Sequence, residues 1–417
     1  MSEMLALLRH IGRWLLLAGL VGVLTGAASA LFLALLDLAT QTRLANGWLL
    51  FLLPIGGFIV GYVYWRYGGL AVGGTGHVID QAHTLSSRVP ARMAALVLFG
   101  TVMTHLFGGS AGREGTAVQM GASLADSARR LLKITDPQDR RWLIQAGISA
   151  GFSAIFGTPI AGIVFGLEVL NVGRVRYDAL IPCLISAVVG DLTARALGAH
   201  HAHYPQTALT GLDGGLVLKV ALAGAIFGLC AWAFISLMHA IKHAAARFIA
   251  WPPLRPVVGG LIVIALAVLL NTSDYLGLSL PLIQQSVGGE GVPVTAFALK
   301  LIFTAVTLGT GFMGGEVTPL FVIGSTLGYT LGTALGVDPL WLASIGFVAV
   351  FAGASNTPLA CALMGIELFG GGAALYLVIG CVMAYVFSGH RGIYMTQRLD
   401  TPKSPSDISY GTILKDL

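Results

Sequence analysis

From Trp14 to Leu36 the chain carries no charged residue. That run alone is long enough to cross the hydrocarbon core of a bilayer, which takes about 20 apolar residues in a helix. Comparable apolar runs extend from Leu50 to Tyr64 and from Gly215 to Met238. Of the 417 residues, 56% are hydrophobic and only 10% charged, whereas soluble domains carry about 25% charged residues. The chain therefore reads as an all-α polytopic membrane protein. The first apolar run continues into further spans, so no cleavable signal peptide is expected. Cys183, Cys230, Cys361 and Cys381 lie in apolar segments without metal-like spacing and read as buried free thiols.

Basic residues crowd particular connections: Arg129, Arg130, Lys133, Arg140 and Arg141 in one, Arg174 and Arg176 in a second, Lys242 and Arg247 in a third. Arg9 and Arg13 stand near the start, and Arg391, Arg398 and Lys403 near the end. The contrasting connection, residues 198–215, has no Lys or Arg. The positive-inside rule then places both termini in the cytoplasm, in a multi-pass protein of the inner (plasma) membrane. The net charge of +5 is explained by this asymmetry, without a nucleic-acid partner. His200, His201 and His203 read as an exposed loop rather than a metal site, and no metal or cofactor is expected.

With 56 glycines, many apolar runs are short or interrupted. Short helices that end at membrane depth are how channels and transporters build ion sites. The interruptions repeat. "TPIAGIVFGLE", from Thr158 to Glu168, matches "TPLACALMGIE", from Thr357 to Glu367, 199 positions later. "GREGT", from Gly112 to Thr116, matches "GGEVT", from Gly314 to Thr318, with Glu114 and Glu316 202 positions apart. Two matches in one order at nearly one offset indicate duplicated halves, residues 1–205 and 206–400, followed by a short tail at 401–417. In such repeats the site lies at their interface near the bilayer midplane.

The repeat nominates Glu114 and Glu316. A carboxylate at membrane depth costs at least about 2.5 kcal/mol and must face a cavity or a partner. Glu114 opens the segment "EGTAVQMGASLADSARR" and so belongs in the first turn of a helix, beside unpaired N–H groups and the positive end of the dipole. Gly112 and Gly115 leave that backbone open to an ion. Such a terminus binds anions. The carboxylate can fill the site itself, compete with an arriving anion, and leave on protonation. Gly314 and Gly315 precede Glu316 in the same way. "GGTG" at Gly73 to Gly76 exposes further backbone donors and the Thr75 hydroxyl, and Tyr394 follows a Gly-rich turn.

Taken in order, these motifs resemble the CLC chloride channel and transporter family over roughly residues 10 to 400. The resemblance implies a homodimer with one pore per subunit. Each subunit would be built from inverted halves of about nine broken and tilted helical segments. It makes Glu114 the gating, proton-accepting glutamate and Tyr394 the central pore tyrosine. Thr75 falls at the position of the usual coordinating serine. It also implies an anion-binding set around these: Gly74, Gly76, Gly112, Arg113, Gly115, Thr116, Gly315, Val317 and Thr318. Arg113 is expected to order backbone rather than touch the ion. Regulatory cytoplasmic domains are not expected after Tyr394.

The departures from the family pattern point further. Thr116 replaces the usual Pro, and the usual Gly-x-Phe-x-Pro turn reads Gly315-Glu316-Val317-Thr318-Pro319. Val169 occupies the inner proton-relay position, one residue after Glu168. Glu168 and Glu367 read as helix-end or capping acids. This combination resembles the fluoride/proton antiporter branch, in which the extra Glu316 would take a proton or gating role. The expected activity is fluoride export in exchange for protons, with chloride/proton exchange or a passive anion channel as the alternative. Gly-x-Ser-x-Gly patterns at Ser110 and Ser149 lack a preceding strand and a His/Asp pairing, so an enzyme is not expected.

Overall fold

A computed structural model describes residues 2–207, 210–405 and 408–417. Among these residues there are sixteen α-helices, eight on each side of residue 205. The first half comprises α1 (Ser2–Ala45), α2 (Leu53–Tyr67), α3 (Gly74–Thr84), α4 (Arg92–Leu106), α5 (Glu114–Leu131), α6 (Pro137–Phe156), α7 (Pro159–Glu168) and α8 (Leu180–Ala196). The second comprises α9 (Gly214–Phe248), α10 (Arg255–Leu269), α11 (Leu280–Gly288), α12 (Ala296–Gly309), α13 (Val317–Leu335), α14 (Pro339–Ser355), α15 (Pro358–Phe369) and α16 (Ala374–Phe387).

The expected spans Trp14 to Leu36 and Gly215 to Met238 fall within α1 and α9, and Leu50 to Tyr64 begins in the 3-10 turn Gly47–Leu52 and continues into α2. At about 1.5 Å per residue, α1 is roughly 65 Å long, far more than the hydrocarbon core, so its length exceeds what tilt alone accommodates. Many of the others, including α4, α7, α12, α14, α15 and α16, have fewer than 18 residues. The resemblance implied about nine helical segments per half, and the structure has eight. The segment after Tyr394 is not helical. It runs into β2 (Arg398–Leu399), which pairs in parallel with β1 (Asn171–Val172) and antiparallel with β3 (Thr412–Ile413).

The halves repeat in packing as well as sequence. In the first, α1 packs on α8, α5 on α6, and α6 on α7 and α8; α9 on α16, α13 on α14, and α14 on α15 and α16 reproduce this in the second. Asp136 caps α6 by accepting from the N–H groups of Gln138 and Asp139, and Asp338 caps α14 through Leu340. The caps have a local cause: each Asp precedes a Pro, which is preorganised for the first helical position.

The crossings of α5 with α6 and of α13 with α14 are glycine contacts. A Cβ on Gly121 or Gly147 would collide with the other's backbone, and the same holds for Gly324 and Gly346. Part of the glycine content is therefore close helix packing. Arg13, in α1, pairs with Asp139 at the start of α6. Lys219, at the start of α9, donates to the Gly336 carbonyl after α13. The C-terminal half of α9 instead meets the basic face, where Arg391 donates to Ser236. The long helices α1 and α9 thus begin on opposite faces, and the repeat is inverted.

One large apolar core joins the halves. Stacked rings lie within each half, Phe152 on Phe165 with centroids 4.2 Å apart and Phe321 on Phe347 at 4.1 Å, and Phe156 meets Phe321 across the repeat boundary at 5.3 Å. Four cysteines are free and buried, as expected.

Candidate functional site

The two nominated loops meet. Gly112 and Gly315 form an antiparallel pair: the Gly112 N–H donates to the Gly315 carbonyl (2.6 Å), and the Gly315 N–H to the Gly112 carbonyl (2.8 Å). This pairing brings the N-termini of α5 and α13 together at the repeat interface.

Glu114, the first residue of α5, is buried, with 1% of its surface exposed. Its Oε2 accepts the N–H of Arg113 (3.0 Å) and the N–H of Thr318 (3.0 Å), and the Thr318 hydroxyl donates to its Oε1. One carboxylate thus receives unpaired donors from both helix N-termini, where the dipoles favour negative charge. Arg113 Nε stands 3.7 Å from Glu114 Oε1. Charge-assisted bonds of this kind are about twice as strong as neutral ones. The group held there is a carboxylate whose oxygens accept, and the same N–H groups suit an anion.

Beneath Glu114 is a cavity of about 500 Å³ whose lining includes Gly74, Thr75, Gly76, Gln119, Glu316 and Tyr394. Gly74 bends the chain into α3 with φ +54°, and Thr75 follows in the first turn. Gln119 of α5 donates through Nε2 to Thr75 Oγ1 (3.2 Å). A Cβ built on Gly115 would lie 3.4 Å from Gly315 Cα and 3.8 Å from both Glu316 Oε2 and Thr75 Oγ1. Gly115 and Gly315 thus approach Thr75 and Glu316, two residues of the cavity wall. On the far side of Glu114 a much smaller pocket, about 20 Å³, is lined by Arg113 and Thr318 among aromatic and aliphatic side chains. Glu114 lines neither space. Its carboxylate bonds to the backbone of Arg113 and Thr318, which line the smaller one.

Tyr394 is buried at the cavity wall, with its ring edge-on to Phe165 at 6.4 Å. Gln397, fully buried, positions its loop by donating to the carbonyls of Val169 and Ser355 (both 2.9 Å) while accepting from Asn356 (2.9 Å). The Thr396 hydroxyl donates to the Gly76 carbonyl (2.8 Å), tying the Tyr394 loop to α3. Gln119, Asn356 and Gln397 were not singled out in the sequence. Lone amides in apolar segments carry no motif, and only their partners reveal them.

Other nominated residues lie away from the cavity. Thr116 is buried against α4, its hydroxyl 2.7 Å from that of Thr101, and it does not line the cavity. It helps to fix the first turn of α5. Val317 is packed in the core. Glu168 and Glu367 cap across the repeat. Glu168 accepts from the N–H groups of Leu359 (3.2 Å) and Ala360 (2.9 Å) at the start of α15; Glu367 accepts from Ile160 (3.0 Å) and Ala161 (2.8 Å) at the start of α7. Val169 is buried and contributes a carbonyl to Gln397, not a titratable group. In the His-rich connection, His200 and His203 are exposed, while His201 bonds to the Ala154 carbonyl (2.9 Å).

Comparison with known proteins bears on this geometry. The sequence profile of the voltage gated chloride channel family matches residues 56–389. A "chloride/fluoride channel protein" of Pseudomonas syringae pv. tomato is 48% identical over 96% of this chain and 90% of its own length. The crystal structure of a CLC-type fluoride/proton antiporter superposes with a TM-score of 0.90 at 34% identity, covering 93% of this chain and 98% of the other. A slow cyanobacterial chloride/proton antiporter superposes at 0.78 with 20% identity, over 90% and 94% of the two chains, a likeness of fold alone.

Proposed function

The chain belongs to the voltage gated chloride channel family, and from that membership we propose that it exports fluoride across the plasma membrane in exchange for protons, with Glu114 as gate and proton carrier. The observation that carries the reading is the Glu114 carboxylate at the meeting point of two helix N-termini, bonded to the N–H groups of Arg113 and Thr318. These N–H groups can donate to either a carboxylate or a fluoride ion. Protonation of Glu114 removes its charge and weakens its hold, which opens the donors to the anion; deprotonation closes them again. One side chain then alternates between proton and anion, and that alternation is exchange.

Fluoride is the preferred cargo for two reasons. It is the anion that appears in the descriptions of both the relative at 48% identity and the structural neighbour at 34%. A small, strongly hydrated anion also requires close donors in place of water; Thr75 and Tyr394 line the cavity with Gly74 and Gly76, and the Thr318 hydroxyl stands at Glu114. Glu316, on the cavity wall, supplies a second acid where Val169 supplies none, and we assign it to the proton route. The exposed apolar residues Leu184, Val188 and Leu192 of α8, and Leu375, Val378 and Val382 of α16, recur at helical spacing and suit the interface of a homodimer with one pore per subunit. The basic face, with both termini, is assigned to the cytoplasm.

The test is a Glu114→Gln variant in liposomes with the membrane potential clamped. The expected result is that proton movement driven by a fluoride gradient falls to that of protein-free liposomes, although the variant still purifies as a monodisperse protein. Proton movement retained at the wild-type level would overturn the assignment.

A further inference from the structure

A second large cavity, about 620 Å³, opens between α2, α10 and the loop after α12. Its lining has two cations, Lys242 near the end of α9 and Arg255 at the start of α10, and among its described residues no carboxylate. Arg255 uses Nε to reach the Ile249 carbonyl (3.0 Å). Its terminal guanidinium nitrogens and the Lys242 ammonium have no hydrogen-bond or ion-pair partner among the described residues. A third cation stands at the edge, since a Cβ on Gly69, which lines the cavity, would collide with the Arg92 guanidinium.

The rim is aromatic. Trp65 and Trp251 meet nearly at right angles with centroids 6.2 Å apart, and Phe58 and Tyr62 extend the cluster. Both tryptophans are substantially exposed, at 51% and 40%. Exposed Trp and Tyr beside apolar helices mark the level of the lipid headgroups. Lys242 also lines the ion cavity with Glu316, but the lining of this second cavity has cations and no carboxylate among its described residues, which suits a phosphate, and basic pockets between membrane helices bind anionic headgroups.

We propose that this cavity binds the headgroup of an anionic phospholipid, its phosphate between Lys242 and Arg255 and its acyl chains leaving past the aromatic rim. A zwitterionic headgroup would bring its own cation against theirs and bind less well. The site adjoins the ion cavity: Val72, Lys242, Leu308, Phe312 and Met313 line both. Met313 leads directly into Gly314-Gly315-Glu316. A bound headgroup therefore braces the segment that carries Glu316, whichever anion is transported.

The experiment follows thermal unfolding of the detergent-purified protein during titration with phosphatidylglycerol, phosphatidylcholine or inorganic phosphate. Wild-type protein is expected to be stabilised by phosphatidylglycerol at concentrations about tenfold below those needed with phosphatidylcholine. Lys242→Gln, a change at an exposed side chain, should lose part of that preference, and the double variant Lys242→Gln/Arg255→Gln nearly all of it. If the double variant fails to fold, Lys242→Gln alone decides. Equal stabilisation by both lipids, or a preference unchanged in the variants, would overturn the site. Inorganic phosphate acting as strongly as phosphatidylglycerol would overturn the lipid as its occupant.

Discussion

Gly112 shows how tightly single residues are specified at the repeat interface. A Cβ there would stand 2.7 Å from Glu114 Oε2 and 2.9 Å from both the Gly315 carbonyl oxygen and Pro319 Cδ. Gly112→Ala is expected to split the Gly112–Gly315 pair and displace the carboxylate, at a cost of about 1–3 kcal/mol. A lowered unfolding temperature together with lost fluoride transport would register it, and wild-type values of both would contradict it. A second residue-scale expectation concerns Glu316: Glu316→Gln should abolish fluoride-driven proton movement in a protein that still folds, and unchanged coupling would remove it from the proton route. Glu114 and Glu316 were legible because a charge between glycines in an apolar chain is conspicuous. Thr116 was misleading for the same reason, since it shares the motif but faces Thr101. Gln397 was silent because its importance lies wholly in three partners distant in sequence.

At the scale of elements, the crossed caps are the most informative feature. Each of the two Thr-Pro helices begins on a carboxylate supplied by the end of the other: Glu168 caps α15, and Glu367 caps α7. The capping reading was available from the matching repeat positions, but the exchange between halves was not, because sequence spacing gives no distance across a repeat. Glu168→Ala and Glu367→Ala are each expected to destabilise the protein by about 1–2 kcal/mol while leaving the ratio of protons to fluoride unchanged. A changed ratio would give either acid a part in proton transfer. The helix crossings supply a separate prediction. Gly346→Leu would drive a side chain into the backbone of α13 at Gly324, so little folded protein should be recovered by size-exclusion chromatography. Normal yield and elution would show that the crossing can open. Helix starts at Asp136-Pro137 and Asp338-Pro339 are a further repeat carried in the sequence, 202 positions apart.

For the whole molecule, composition and repeat spacing were enough to indicate a membrane-embedded duplicated fold, and the boundary near residue 205 separates α8 from α9. The non-helical course after Tyr394 was not legible: it depends on β2 finding β1 at the end of the first half, a contact between residues far apart in sequence. What the fold achieves is the opposition of two helix N-termini across a pseudo-symmetric interface, a positive point to which backbone N–H groups and the neighbouring Arg113 both contribute. The proposed exchange depends on that point being contested by Glu114 and an anion. The most direct measurement uses the purified protein in liposomes with potassium and valinomycin holding the membrane potential at zero. A fluoride gradient is imposed without a pH gradient, and fluoride and internal pH are followed together against protein-free liposomes. Proton movement opposite to the fluoride flux, with little response to an equal chloride gradient, is the predicted result; fluoride flux with no linked proton movement would contradict antiport and leave a channel in its place.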